Sequence, residues 1–255
     1  MTGLHTTHIG EAGQRVAFLH GLFGQGKNFT SIAKSLVPEA QSLLVDLPNH
    51  GRSDWTDGVD YIEMADAVAA ELAEWGPTHL VGHSMGGKVS MVLALRHPDL
   101  VERLVVVDIA PSVSDGAGEF EHLLGSLASV DLSQVQRRAD AEAQLLDLIP
   151  NTTVRGFLLQ NLRSTDDGYA WQANLDLLRR SLATIGGFPD LSESFEHPVL
   201  WVAGDRSDYV QDRDRPEMER LFPNTRLVTI KGAGHWVHSE QPAAFTSALR
   251  VFLAL

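Results

Sequence analysis

The segment Leu80-Val81-Gly82-His83-Ser84-Met85-Gly86-Gly87-Lys88 carries the pattern Gly-x-Ser-x-Gly between two segments of different periodicity. The apolar residues 78–81 before it predict a buried strand, and the apolar residues after it recur at helical spacing. The pattern builds a sharp strand-to-helix turn that strains the serine backbone and holds Oγ clear of the sheet. Gly82 and Gly86 are needed because a Cβ at either position would collide where the two backbones nearly touch. Ser84 is therefore the predicted nucleophile.

Composition limits the classes of protein that this chain can belong to. Its 255 residues, 44% of them hydrophobic, suit one globular domain with an inserted subdomain. The net charge of −13 argues against a nucleic-acid partner or an anionic membrane surface. The absence of cysteine excludes disulfides and a cysteine nucleophile. Because the sequence shows neither a signal peptide nor a membrane span, we expect a cytoplasmic protein, monomeric or a small homo-oligomer.

Strands alternate with amphipathic helices over most of the chain. The predicted strands cover residues 6–11, 15–20, 42–45, 78–81, 103–108, 199–204 and 226–230. The predicted helices cover residues 28–36, 61–75, 215–221 and 242–253, together with the helix that follows Ser84. A Glu-Ala-Gly turn separates the first two strands. The alternation predicts an α/β fold with a mostly parallel central sheet flanked by helices.

The alternation stops between Pro111 and about Pro189, where the pattern is almost wholly helical. Ordinary connections between strands are only a few residues long, so this region predicts a cap packed over the mouth of the sheet. The division is then a core of residues 1–111 and 190–255 and a helical cap of residues 112–189. A separate accessory domain of unrelated role is the alternative.

A serine nucleophile needs a base, and His235 in Gly-x-Gly-His-Trp is the strongest candidate among 11 histidines. It follows the last predicted strand and lies downstream of Ser84, as the order Ser…Asp/Glu…His requires. The four other histidines near predicted site segments are expected to shape the site rather than to act in it: His20, His50, His83 and His238.

The acid that orients this base has more than one candidate. In most proteins of this plan it follows the strand before the last, but Ser207 occupies that place here, flanked by Asp205 and Asp208. Asp108 follows a continuous apolar run at the carboxyl end of its strand, where such sheets hold their active sites. A buried lone carboxylate is costly, and a histidine would supply its partner. Asp108 is therefore favoured, with a capping role at the entrance to the cap as its alternative.

Two backbone N–H groups are expected to stabilise the oxyanion that attack on a carbonyl creates. One is that of Met85, and the other is that of Leu22, with Phe23 as its alternative, in the glycine-rich loop after the second strand. An apolar acyl pocket is expected to be lined by Phe23, Met85, Trp171, Tyr209 and Trp236. For Trp171 and Tyr209, packing in the core is the alternative. The glycine-rich loop fits neither phosphate-binding spacing, and no histidines and carboxylates repeat at ligand spacing, so neither a nucleotide nor a metal site is predicted.

Five segments together resemble the α/β-hydrolase superfamily, and within it the YbfF-type bacterial esterases and their mitochondrial abhydrolase relatives. These segments cover residues 20–24, 46–53, 82–88, 107–111 and 234–238. The resemblance implies the α/β-hydrolase fold with a helical cap inserted after the family's sixth strand, and no cofactor. It also implies that the acid follows this sixth strand, which supports Asp108. The activity implied is that of a carboxylic-ester or acyl-thioester hydrolase.

The predicted reaction is acyl transfer from a small-molecule ester or thioester through an acyl-enzyme on Ser84. One alternative uses the same triad for C–C bond hydrolysis, for cofactor-free haloperoxidase or perhydrolase chemistry, or for menaquinone-pathway synthase chemistry. The synthase and the ring-cleavage hydrolases need a cation in the pocket, and neither Arg52 nor Arg155 is evidently placed there. A non-catalytic small-molecule receptor on the same fold is the remaining alternative.

Overall fold

A computed structural model of the protein describes residues 3–113 and 117–255. Its strands are β1 (His5–Ile9), β2 (Gln14–Leu19), β3 (Ala40–Asp46), β4 (Thr78–His83), β5 (Val101–Val107), β6 (Leu162–Thr165), β7 (Gly168–Trp171), β8 (Val199–Gly204) and β9 (Thr225–Ile230). Its helices are α1 (Thr30–Ser35), α2 (Tyr61–Trp75), α3 (Met85–Arg96), α4 (Ala117–Ala128), α5 (Arg138–Leu145), α6 (Thr152–Leu159), α7 (Leu175–Arg180), α8 (Leu182–Gly186), α9 (Arg215–Leu221), α10 (Val237–Glu240) and α11 (Pro242–Leu253).

Seven of the described strands form one sheet in the order β1-β3-β2-β4-β5-β8-β9. Every neighbouring pair is parallel except β1 and β3, which are antiparallel. The predicted α/β-hydrolase fold, a mostly parallel sheet flanked by helices, is therefore confirmed. The turn between the first two strands does not make a hairpin, because β3 lies between β1 and β2 in the sheet.

The central strands read as continuous apolar runs because both faces of the sheet are covered. Successive side chains of a strand point to opposite faces. In β2, Ala17 and Leu19 join one buried cluster, while Val16 and Phe18 join the other. Strand β5 divides its residues in the same way. The strand ends that carry the candidate site are thus held between two cores.

The region between β5 and β8, predicted to be almost wholly helical, also contains two short strands. Besides the five helices α4 to α8, it contains an antiparallel hairpin of β6 and β7, paired from Leu162 with Trp171 to Thr165 with Gly168. The Asp166-Asp167 loop and Gly168, which has φ +126°, are typical of a hairpin turn. Residues 114–116 of the predicted cap lie outside the described residues.

The insertion follows β5, which is the fifth strand of this chain in sequence order. The sequence prediction called this strand the sixth because it used the strand numbering of the family. Within the described ranges no helix is long and apolar enough to cross a bilayer.

A buried lysine joins α3 to both ends of the inserted region. Lys88 is 1% exposed, and its Nζ donates to the carbonyls of Ser112 (3.0 Å), Gly186 (2.6 Å) and Gly187 (2.7 Å). Burial lowers the pKa of Lys88 to about 8, an effect that the nearby Asp214 carboxylate opposes. One ammonium group therefore ties the start of the insertion to its end.

Replacing Lys88 by methionine should lower the free energy of unfolding by roughly 2 kcal/mol. Three partly buried carbonyls lose their donor at about 1 kcal/mol each, and removal of a desolvated charge offsets part of the loss. Urea denaturation measures the change. The matched control is Lys34→Met on α1, where Lys34 is exposed and the change should stay within about 0.5 kcal/mol. If the Lys88→Met protein were as stable as the wild type, the three hydrogen bonds of Lys88 would not stabilise the fold.

Candidate active site

The serine turn has the geometry that its glycines predict. Strand β4 ends at His83, α3 begins at Met85, and Ser84 between them has φ 53° and ψ −122°. A Cβ on Gly82 would overlap Ser90 Oγ and the carbonyl of Gly86, so the strand and the helix could not approach each other. This close packing holds the Ser84 backbone in a conformation that non-glycine residues rarely adopt.

Three predicted site residues form one hydrogen-bonded chain. Ser84 Oγ lies 3.0 Å from His235 Nε2, and His235 Nδ1 lies 2.8 Å from Asp108 Oδ2. Since the carboxylate can only accept, Nδ1 carries the proton and Nε2 is free to accept the serine proton. This is the arrangement of a nucleophile, a base and an orienting acid.

Asp108 is fully buried directly after β5, with a left-handed φ of +51°. Its Oδ1 accepts the Gly204 N–H at 3.0 Å. Its Oδ2 accepts a short hydrogen bond from Ser207 Oγ as well as the bond from His235. The carboxylate thus has three donors, which offset the cost of burying its charge.

The two alternative acids, Asp205 and Asp208, make other hydrogen bonds. Asp205 is exposed, and its Oδ1 accepts the Gly232 N–H at 2.8 Å. Asp208 is also exposed, and its backbone carbonyl accepts Gln211 Nε2 at 2.8 Å. Ser207, at the usual place of the acid, donates to Asp108 instead.

Neighbouring rings hold His235 in place. His83 Nε2 donates to the His235 carbonyl at 2.8 Å, and the Tyr209 ring stacks on the imidazole with centroids 4.1 Å apart. Burial, with the nearby imidazoles of His238 and His235, holds the pKa of His83 well below its ordinary value, so His83 is neutral. Burial also raises the pKa of Tyr209 to about 12, so its phenol stays protonated.

The loop that precedes α1 faces the serine. Leu22 and Met85 both line the cavity beside Ser84. As the first residue of α3, Met85 has an N–H without an acceptor inside the helix. His20 supports the loop: Nε2 accepts the Leu47 N–H at 2.9 Å, and Nδ1 donates to the Gly21 carbonyl at 2.8 Å. Burial lowers the pKa of His20 to about 4, which keeps this tautomer neutral.

The cavity beside Ser84 is small and mostly apolar, with a volume of about 20 Å³. Its apolar walls are Leu22, Met85, Ile109, Phe120, Leu182 and Ile185. Phe23 is 2% exposed and packs near Phe120 with ring centroids 6.2 Å apart. Trp236 lines a separate groove of about 870 Å³ beside α6, where it faces Phe157.

The remaining predicted histidines are buried near the site. His50 Nδ1 donates to the Pro48 carbonyl at 3.0 Å, and His238 stacks on Phe29 with centroids 4.6 Å apart. Burial lowers the pKa of each to about 3. In the described part of the chain no three histidine, aspartate or glutamate side chains come together as a metal site.

Sequence reasoning missed the contacts of Lys88 and Ser207 with this site. The only available signal was their position, Lys88 four residues after Ser84 and Ser207 in the usual place of the acid.

Residues 14–242 match the family described as the alpha/beta hydrolase fold. The chain therefore belongs to the α/β-hydrolase family.

Three of the similar proteins are named as an esterase or a lipase. The chain is 40% identical over 246 residues to the sn-1-specific diacylglycerol lipase ABHD11 of Danio rerio, covering 93% of this chain and 78% of that protein. It is 33% identical over 240 residues to esterase YbfF of Escherichia coli strain K12, covering 93% and 92%. A solved marine microorganism esterase superposes with a TM-score of 0.95 at 36% identity over 99% of this chain and 100% of that one. These similarities support an ester-hydrolase role.

Proposed function

We propose that this protein hydrolyses carboxylic esters or acyl thioesters through an acyl-enzyme on Ser84. The observation that carries the proposal is the chain of hydrogen bonds from Ser84 through His235 to Asp108, with distances of 3.0 Å and 2.8 Å. The names of the similar proteins, esterase and lipase, agree with it.

The reaction proceeds in two steps. His235 Nε2 takes the Ser84 hydroxyl proton as Oγ attacks the acyl carbonyl, and the same proton then passes to the leaving alcohol or thiol. Water enters, gives a proton to His235 and attacks the acyl-enzyme, which releases the carboxylic acid and restores Ser84. Asp108 holds the Nδ1–H tautomer and stabilises the imidazolium in both steps.

The oxyanion formed in each step takes hydrogen bonds from the N–H groups of Met85 and Leu22. Met85 stands at the N-terminus of the 12-residue helix α3, whose dipole also favours negative charge there. In this structure these donors lie on a packed helix and on a hydrogen-bonded turn, so the chemical step itself needs little reorganisation of them.

The inserted region is proposed as a cap of residues 112–189 over a core of residues 1–111 and 190–255. Its residues Phe120, Leu182 and Ile185 cover the cavity beside Ser84. A volume of about 20 Å³ holds about one water molecule, so the cap moves to admit an acyl group. A cytoplasmic location stays a prediction from the sequence.

The alternatives with a carboxylated substrate find less support at the site. Among the described residues that line the cavity, Lys88 is the cation, but its Nζ donates to three backbone carbonyls. Arg155 is bound to Glu142 (3.3 Å) and to the Ile149 carbonyl (2.8 Å) within the inserted region.

Hydrolysis of p-nitrophenyl butyrate, butyryl-CoA and a diacylglycerol tests the proposal. We expect the wild type to turn over the neutral ester, because the cavity walls are apolar. The Ser84→Ala variant lacks the proposed nucleophile and should be much slower. We expect a lower kcat/KM for butyryl-CoA that rises with salt, because a protein of charge −13 repels an anionic substrate and salt screens the repulsion.

No turnover of any of the three substrates would contradict the ester and thioester proposal. Tight binding of a small molecule without turnover would then favour the receptor.

A further inference from the structure

The loop that carries Leu22 is held in a strained turn. Gly24 N donates to Gly21 O at 2.9 Å, which closes a four-residue turn, and Phe23 in its third position has φ +64°. This is the type II arrangement, whose third position ordinarily needs glycine or asparagine. A phenylalanine keeps this conformation only where its surroundings hold it there.

A side chain of the inserted region holds this turn. Asn161 follows the C-terminal end of α6 and is fully buried, and its Nδ2 donates to the Phe23 carbonyl at 2.8 Å. The same amide nitrogen donates to the Leu158 carbonyl at 3.1 Å, and Oδ1 accepts Gln25 Nε2 at 3.3 Å. Every polar atom of the amide is therefore used in joining α6 to the loop.

Two further bonds brace the same junction. Gln25 Nε2 donates to the Gln160 carbonyl at 3.1 Å, and Asn28 Nδ2 donates to Gln160 Oε1 at 2.9 Å. The loop is thus bound to the inserted region at Phe23, Gln25 and Asn28. If α6 moved away from the core, these bonds would break and the strained turn would lose its support.

We infer that Asn161 is a positioning residue for the oxyanion site, so that the Leu22 N–H is correctly aimed only while the cap is closed. This inference rests on the proposed function. Asn161 contacts no reacting atom and acts through the Phe23 carbonyl. Hydrolysis then waits for cap closure, because an open cap leaves one of the two oxyanion donors without support.

The test compares Asn161→Asp and Asn161→Ala with the wild type on p-nitrophenyl butyrate. Asn161→Asp keeps the shape but removes both Nδ2 donors and sets a carboxylate against the Phe23 carbonyl. Asn161→Ala removes the donors without adding charge, and it covers the case in which the aspartate variant fails to fold. We expect kcat to fall about 100-fold with KM within about threefold, because the support is needed in the transition state.

The matched control is Asn151→Ala at the other end of α6. The Asn151 side chain caps the helix by accepting the Thr153 and Val154 N–H groups at 3.0 Å and 3.2 Å. This variant loosens the same helix without touching the loop, so its Tm falls while kcat stays near the wild-type value. An alkylboronic acid, which forms a tetrahedral adduct on Ser84, supplies a second readout. Its Ki should rise in the Asn161 variants by the same factor as kcat/KM falls.

Wild-type kcat in Asn161→Ala, or an equal loss of kcat in Asn151→Ala, would overturn this inference while leaving the proposed function intact. A wild type without activity on esters or thioesters would overturn the proposed function, and this inference with it.

Discussion

Ser84→Ala is expected to lower kcat for p-nitrophenyl butyrate by about 10⁵-fold or more, because it removes the atom that forms the acyl-enzyme in the proposed mechanism. His235 and Asp108 do not compensate, since the base has no hydroxyl left to deprotonate. The fold should tolerate the change, because the elbow is held by Gly82 and Gly86 and not by the serine hydroxyl. Ester hydrolysis and thermal unfolding, measured on the same preparation, check both parts.

The control is Ser247→Ala on α11, whose hydroxyl donates to the Ala243 carbonyl at 2.9 Å. It should keep wild-type kcat. If Ser84→Ala retained more than about a hundredth of the wild-type rate, covalent catalysis by this serine would be refuted.

Asp108→Asn should lower kcat by about 10⁴-fold. The carboxylate accepts from His235 Nδ1, Gly204 N and Ser207 Oγ at once. An asparagine amide cannot accept at both ends, so one of these donors loses its partner, and an amide N–H turned towards His235 selects the wrong imidazole tautomer. The imidazolium also loses its counter-charge at a fully buried position. Steady-state kinetics at fixed pH measure the effect.

Asp205→Asn is the paired control for the acid. Asp205 is exposed and accepts only the Gly232 N–H among the hydrogen bonds described above, so this variant should stay within a few fold of wild-type kcat. If Asp205→Asn were inactive while Asp108→Asn stayed active, the acid would be the residue after β8, and the proposed triad of Ser84, His235 and Asp108 would be rejected.

Several elements follow directly from local sequence signals. The bounds of α2, α9 and α11 agree with the predicted helices because each begins at a strong signal: the Asp60 side chain caps α2, and α9 and α11 each carry proline in the first turn. Strand β8 agrees because its apolar run is bounded on both sides. The elbow at Ser84 is equally local, since its glycines and its serine lie within five residues.

Other features depend on partners that are distant in the sequence. The hairpin of β6 and β7 was missed because strands of four residues carry too little periodicity to be separated from helical segments. Phe23, which is predicted to line the substrate pocket, is 2% exposed, and its backbone has φ +64°. Asn161, 138 residues away, supplies the hydrogen bond to its carbonyl.

Local periodicity, glycine spacing and capping residues were enough to predict a mostly parallel sheet, its flanking helices and the candidate nucleophile, because these signals act between near neighbours. The surroundings of the candidate acid were decided by tertiary contacts, in which Asp108 meets Gly204 at a separation of 96 residues and His235 at 127 residues. A carboxylate can be buried there only because the folded chain brings three donors to one point, and no local pattern records such a meeting.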